Sequence, residues 1–397
     1  MRKHLKNVTV LNFYLILSLL VMSVFLITFT GLAEQRPEIT TICMEHITFG
    51  KDASKEAIVT WRSKEGNAEG YVKYWSANSD ESQAILQANA EIHSYRYARD
   101  EVNIYDARLT DLKPNTLYNY KIYCANKESS EYSFYSAPEP DSDIGFTFAV
   151  FGDSRGGYDV YGQLMRSAYE AGARFVVFTG DMTDGAVQDE WDHWFTAAAD
   201  TMPNLPLMPI HGNHEAMSNT YFDQFVLPDD EKNYSFDYGM THWSIVLDNT
   251  DELVEEAKEW LTEDLAASDS TWKFIATHKP FYSSAKKHDM KSSPAQIYLR
   301  EVIEEGGVAM SFCGHIHNYE RTYPLLNGKK ADDGITYVVT GSAGAPPYSI
   351  DKVEDFSARA VETRHFTIYE INPDMIKATA KAINGNIIDE YIAYPRN

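Results

Sequence analysis

The segment FVVFTGDMTDG (175–185) runs four apolar residues into a Thr-Gly turn and then into Asp181. A short run of β-branched and aromatic residues stopped by glycine reads as a buried strand. Taken alone, Gly-Asp after a strand is an ordinary turn. Working outward, the arrangement recurs. FAVF (148–151) leads to Asp153 in GDSRGG (152–157), and LMPIHG (207–212) leads to Asn213-His214. FIAT (274–277) ends at His278, and MSFCG (310–314) ends at His315 and His317. In open α/β sheets, ligands collect outside the carboxyl ends of the strands. Five strand ends in succession, all bearing Asp, Asn or His, are what a two-metal site on such a sheet requires. Two neighbouring cations can make a hydroxide nucleophile from water and clamp a phosphoryl group.

The residue types suit that chemistry. The glycines of GDSRGG allow a tight turn and a close approach of ligands. In GNHE (212–215) the amide oxygen of Asn213 can complete a metal shell and leave His214 as an acid. His315 and His317 are two apart and fall on the same side of an extended segment, within reach of two cations. Any one of these histidines is more often a satisfied structural residue. The ordered set Asp, Asp, Asn-His, His, His-x-His carries the argument.

The rest of the chain divides by pattern. Residues 36–140 read as short strands between turn signals, for example AIVTW (57–61) and GYVKYW (70–75). LKPNTLY (112–118) puts a proline-containing corner before Tyr118 and a late strand, the tyrosine-corner pattern of β-sandwiches. With Trp61 in an early strand, this region resembles a fibronectin type III-like domain, its aromatics serving as core. SAPEPDSDI (136–144) reads as a linker. From 145 to 397, strands alternate with helical spacings at Tyr161, Leu164, Met165 and Ala168, and at Val254, Ala257, Leu261 and Leu265. Strands return at Thr336–Thr340, His365–Ile371 and Met375–Ile383. The expected architecture is an α/β domain preceded by an all-β sandwich.

Composition narrows the function. At 397 residues, 44% hydrophobic and 13% aromatic, the chain can bury large cores. A net charge of −23 repels nucleic acid and anionic lipid, so no nucleic-acid-binding surface is expected. A phosphate ester would need bound metal to supply the local positive potential. Cys43, Cys124 and Cys313 make no disulfide framework, although Cys43 and Cys124 fall in one region where export would permit a pair. Residues 1–33 combine Arg2, Lys3 and Lys6 with an apolar run over 8–30 and a small-x-small site at Gly31-Leu32-Ala33. This predicts export, to the periplasm, the medium or the cell surface. The run is long enough to anchor the chain in a membrane if it is not cleaved.

GNHE (212–215), GHIHNYER (314–321) and TGSAGAPPY (340–348) complete a resemblance to the calcineurin-like metallophosphoesterase superfamily. With the fibronectin-like front domain, the nearest branch is the purple acid phosphatases. The resemblance implies a four-layer α/β (α+β) sandwich and a dinuclear centre of Fe, Mn or Zn, with a small phosphate ester as substrate. It implies that Asp181 bridges both metals, that Asp153 and His317 hold the first, and that Asn213, His278 and His315 hold the second. His214 would protonate the leaving group. The chain departs from the pattern twice. Purple acid phosphatases have Tyr three positions after the bridging Asp, where this chain has Asp184, so the purple colour is not expected. Other members have His two positions after the first Asp, where this chain has Arg155. Arg155 suits either a phosphate oxygen or a structural ion pair, and Asp184 reads as a loop-stabilising carboxylate. The resemblance implies a phosphomonoesterase. Alternatives are an extracellular phosphodiesterase or nucleotidase, and a catalytically silent surface module.

Other chemistry-bearing residues read as structural. WDHW (191–194) is expected to pack within a helix, and His242 to serve its strand. His288 sits in a loop that could wall the site. Tyr319, Glu320 and Arg321 are expected to support the ligands from behind. Oligomeric state is not legible.

Overall fold

The computed structural model describes residues 37–77, 85–98, 100–140, 142–285 and 294–396. The expected leader or anchor over 1–33 and His288 lie outside the described residues. No helix among the described residues is long and apolar enough to cross a membrane.

The N-terminal region is a β-sandwich. Strands Cys43–Phe49, Ala57–Ser63 and Asp100–Leu109 pair antiparallel, and Gly70–Ser76 pairs with Leu117–Cys124. Leu86–Tyr97 joins the two sets, its first residues pairing with Gly70–Ser76 and the rest with Asp100–Leu109. Alternate residues Tyr118, Tyr120, Ile122 and Cys124 of one strand face inward, as period-2 patterning requires. Trp61 stacks on Tyr105 with centroids 5.2 Å apart. The Lys113 N–H donates to the Tyr118 hydroxyl at 2.8 Å, which pins the corner that the sequence pattern predicts. The hairpin Leu86–Tyr97/Asp100–Leu109 is not evident in the sequence. In LQANAEIHSYRY only Ala88 is buried, so its first strand lacks an apolar face. Cys43 and Cys124 remain free thiols. Cys43 reaches the Arg62 carbonyl, whereas Cys124 points at Ser63 inside the sandwich, and no bridge forms.

Two further sheets build the rest of the chain, from Phe146 onward. One has the order Leu207–Pro209, Val176–Phe178, Phe146–Phe151, His365–Ile371, Ile376–Ala382, Ile387–Ala393, and its first three strands are parallel. The other runs Tyr234–Tyr238, Thr241–Ile245, Trp272–Thr277, Met310–Cys313, Thr336–Thr340, Tyr319–Thr322, Ser357–Val361, with four parallel strands at its centre. The sheets face each other through aromatic rings. Phe148 meets Trp243 edge-on at 5.1 Å, and Tyr369, the strand neighbour of Phe148, meets Phe312 of the other sheet edge-on at 5.2 Å. Helix Tyr158–Glu170 buries the expected Tyr161, Leu164, Met165 and Ala168, and helix Asp251–Ala267 buries Val254, Ala257, Leu261 and Leu265. Helices, two sheets and helices make the four layers.

The sandwich shares its core with this larger region. Phe49 packs on Tyr238, the Tyr120 hydroxyl donates to the Pro203 carbonyl at 2.6 Å, and Arg62 pairs with buried Asp192. Removing one partner of such a buried pair costs about 3–5 kcal/mol. In WDHW, Trp191 and Trp194 pack as expected, while Asp192 does the joining.

Candidate metal centre

All the parallel strands release their chains at one edge, and the loops there are tied together by their own backbones. The Asp153 N–H donates to Gly180 O at 2.9 Å, Arg155 N–H to Asp181 O at 3.1 Å, and Gly152 N–H to Thr340 O at 3.0 Å. The conformations are unusual for residues with side chains. Asp153, Arg155, Asp181 and His315 have φ of 60°, 46°, 53° and 64°. Left-handed backbone at non-glycine residues clusters at functional sites, where the surroundings hold it in place. Gly180 is required between them, because at φ +91° a Cβ would come 2.6 Å from His278 Nδ1.

Two groups of donor atoms converge, each within 4.8 Å: Asp181, His278 and His315 in one, Asp153, Asp181 and His317 in the other. Asp181 belongs to both. Asn213 joins the first group, its Oδ1 lying 3.1 Å from His278 Nε2 and 2.8 Å from His315 Nδ1. Backbone carbonyls set the rings. His278 Nδ1 lies 2.8 Å from Thr179 O and His317 Nδ1 lies 3.1 Å from Pro346 O, so both turn Nε2 toward the carboxylates. His317 also stacks on Tyr348 at 4.1 Å.

The electrostatics call for cations. Asp153 is fully buried, and burial pushes its carboxyl well above the ordinary range. Burial would raise Asp181 too, but His278 holds it low. Burial disfavours charge on His278, yet Asp181 and Asp153 push it up to about 10. His317 is brought down to about 4, first by burial, and is a neutral imidazole with a lone pair to offer. Carboxylate, amide oxygen and imidazole fit Fe, Mn or Zn, and no thiolate is present to select a softer ion.

His214 stands beside the cluster. Its N–H donates to Asp181 Oδ1 at 2.9 Å, and its ring Nδ1 lies 2.7 Å from the Asp184 carbonyl. The latter contact turns Nε2 toward Asp181 Oδ2, 3.9 Å away. Arg155 Nε donates to Asp184 Oδ1 at 2.6 Å, so the two departures from the family pattern are bonded to each other. Neither contributes an atom to the donor groups.

Two positioning residues carry no signal that sets them apart in the sequence. Glu215 is fully buried and accepts from the N–H groups of Asp181, Met182, Thr183 and Gly212 at 2.8–3.2 Å, fastening the two ligand loops. Asp248 accepts from His278 N–H at 3.1 Å and Lys279 N–H at 2.9 Å. By contrast, Tyr319 and Arg321 turn to Asp389, and Glu320 turns to Ser284 and Ser357. These three brace the last strands of the fold, and none of these bonds reaches a site ligand. His242 lies between Asp237 and Asp264, a structural role.

The calcineurin-like phosphoesterase family matches residues 146–319, and the purple acid phosphatase N-terminal domain matches 44–136. The chain carries a calcineurin-like phosphoesterase domain behind a purple acid phosphatase N-terminal domain. The chain is 24% identical over 342 residues to a purple acid phosphatase of Glycine max, covering 75% of the chain and 72% of that protein. It is 27% identical over 290 residues to purple acid phosphatase 15 of Arabidopsis thaliana, where it spans 61% of its own length and about half, 53%, of the relative's. Fe(3+)-Zn(2+) purple acid phosphatase 12 of the same plant is 24% identical over 318 residues, 71% of this chain and 67% of that one. In fold, it matches a purple acid phosphatase from yellow lupin (Lupinus luteus) seeds with a TM-score of 0.80 at 20% identity, over 90% of the chain and 75% of the lupin protein. The chain also superposes on PhoD with a TM-score of 0.65 at 13% identity, over 90% of each chain.

Proposed function

We propose that the chain hydrolyses phosphate monoesters at a dinuclear metal centre. The observation that carries this reading is the shared position of Asp181 between two donor groups, with the His214 ring beside it. Asp181, Asn213, His278 and His315 would hold one ion, and Asp153, Asp181 and His317 the other. When bound, the two ions supply a nucleophile from water and offset charge on the transferring phosphoryl group. The residues do the rest. Glu215 holds the Asp181 and Asn213 loops in register. The Asp184 carbonyl takes the His214 Nδ1–H and leaves Nε2 facing the site, where it donates a proton to the departing oxygen. Fe, Mn and Zn all suit the donors, and the name of one Arabidopsis relative specifies Fe(3+)-Zn(2+).

Residues 1–33 would direct export, by cleavage or as a membrane anchor through 8–30, and the substrate would be met outside the cytoplasm. The strand pairing of the front domain, with three strands in one set and the Gly70–Ser76/Leu117–Cys124 pair in the other, supports a fibronectin III-like arrangement. The test uses chain lacking residues 1–33, supplied with Mn, Fe or Zn, and measures bound metal and hydrolysis of p-nitrophenyl phosphate and its bis-ester. Two ions per chain and faster monoester turnover are expected, and His214→Ala should keep the metals and lose about 10²–10⁴-fold in rate. Faster bis-ester turnover would make it a diesterase, and metal-loaded protein inert toward both esters would leave the silent module.

A further inference from the structure

Beside the metal cluster lies a cleft of about 420 Å³ lined by Arg155, Asp184, Gly157, Gly344, Pro346 and Arg364, among others. It touches the site at two points. The Asp184 carbonyl holds the ring of His214, and the Pro346 carbonyl holds the ring of His317. The cleft therefore adjoins the cluster at the Nδ1 edges of the expected proton donor and of one candidate metal-ligand imidazole, whose Nε2 atoms face the carboxylates. Its width depends on glycine. A Cβ on Gly157 would come 2.5 Å from the Gly344 backbone, so any side chain there would push the two walls apart.

The charge is out of keeping with the molecule. In a chain of net charge −23, this cleft carries two guanidinium groups against one carboxylate. Each arginine is anchored at Nε, Arg155 to Asp184 Oδ1 at 2.6 Å and Arg364 to Gly344 O at 2.9 Å. Among the described residues, the terminal nitrogens of both have no hydrogen-bond acceptor. A guanidinium fixed at Nε and open at its terminal nitrogens is arranged to grip a tetrahedral dianion through paired N–H donors. The floor adds the start of helix Tyr158–Glu170, which has no side-chain cap on its first N–H groups.

We infer that this cleft binds a second phosphate on the leaving group, so that the preferred substrates are small organic bisphosphates. This deepens the proposed monoesterase reading and rests on it. One phosphate lies at the metal cluster and is cleaved. The other lies against Arg155 and Arg364 and stays on the product.

The test compares fructose 1,6-bisphosphate with fructose 6-phosphate, and 3-phosphoglycerate as a carboxylate control, on the metal-loaded chain. The bisphosphate should be favoured in kcat/KM by about tenfold or more, as one charge-assisted anchoring of this kind implies. Arg364→Ala should bring the ratio close to one by raising KM for the bisphosphate, and Arg364→Lys should restore part of it. Thermal shift provides a second readout, with fructose 1,6-bisphosphate raising Tm more in the parent than in Arg364→Ala. Turnover of p-nitrophenyl phosphate by the same preparations separates the two claims. If no ester is hydrolysed, the monoesterase reading itself fails. If p-nitrophenyl phosphate is hydrolysed but the ratio is near one and insensitive to Arg364, the subsite is wrong. A gain for 3-phosphoglycerate equal to that for the bisphosphate overturns the assignment to phosphate.

Discussion

Two buried imidazoles in this chain sit among carboxylates, His242 within strand Thr241–Ile245 and His278 just past the adjacent parallel strand Trp272–Thr277, and they are wired differently. His242 has Asp237 Oδ1 2.7 Å from Nδ1 and Asp264 Oδ2 2.9 Å from Nε2, so both nitrogens donate and the ring is an imidazolium. His278 gives Nδ1–H to a neutral backbone carbonyl, Thr179 O, and points Nε2 at Asp181, Asn213 and the His315 ring. Both are pushed up, His242 to about 9 and His278 to about 10. Two carboxylate acceptors close the first cluster around a proton. One carbonyl acceptor and a converging set of oxygen and nitrogen lone pairs leave the second open to a cation. The difference between a structural histidine and a candidate metal ligand here lies in what the far nitrogen bonds, and not in burial or charge.

The largest effect should come from removing the residue common to both donor groups. Asp181→Ala takes an oxygen from each of the two and leaves Asp153 as the remaining carboxylate. Bound metal, measured by emission spectroscopy on gel-filtered protein, should fall from two ions to one or none. Turnover of p-nitrophenyl phosphate should fall on the order of 10³-fold or more. Retention of both ions would mean that Asp181 is, like Asp237, a partner of a histidine and no ligand.

The closed cluster predicts a pH effect in the folded chain. The folded value of His242 lies above its ordinary 6.5, so the stability it contributes is fully present below about pH 6.5 and is lost as pH rises through about 9. Asp264 is largely buried while Asp237 is 38% exposed. After discounting for that exposure, the loss should be on the order of 2 kcal/mol. His242→Gln should lower the melting temperature at pH 6 and flatten its decline between pH 6.5 and 9.5. A decline of equal slope in both proteins would place the titrating group elsewhere.

How much of this was legible in the sequence follows from the range of the interactions. The loops that converge on the candidate site were legible because each is a local event: an apolar run, in four of the five a glycine, and Asp, Asn or His in a fixed order. The helices were legible from spacing, as at Leu164, Met165 and Ala168. The hairpin of Leu86–Tyr97 was not, because one face of it lies in solvent and the other buries little. Glu215 was quoted within GNHE, but its role depends on four N–H groups from two loops, three of them some thirty residues upstream. Arg62 and Asp192 join two regions of the molecule across 130 positions of sequence, a distance that no local pattern spans. Tyr319 and Arg321 were misassigned to the site because they follow His317 in sequence. The strand turns them away to Asp389.

The smallest effect concerns the half of the open cluster that is less completely furnished. The group of Asp181, Asn213, His278 and His315 offers four donors, whereas Asp153, Asp181 and His317 offer three. Arg155 occupies the position where other superfamily members place a histidine, and it is engaged with Asp184 instead. Arg155→His adds a fourth donor at a backbone already in the left-handed region, φ 46°, so it introduces no new strain. It also ends an ion pair whose partners are 28% and 48% exposed, a loss of about 0–1 kcal/mol at most. The more weakly held ion should therefore bind about tenfold more tightly, read by competition with a metallochromic chelator, with the tighter site unmoved. If both affinities stay as they were, three protein donors already satisfy that ion, and the difference between the two half-sites is one of composition alone.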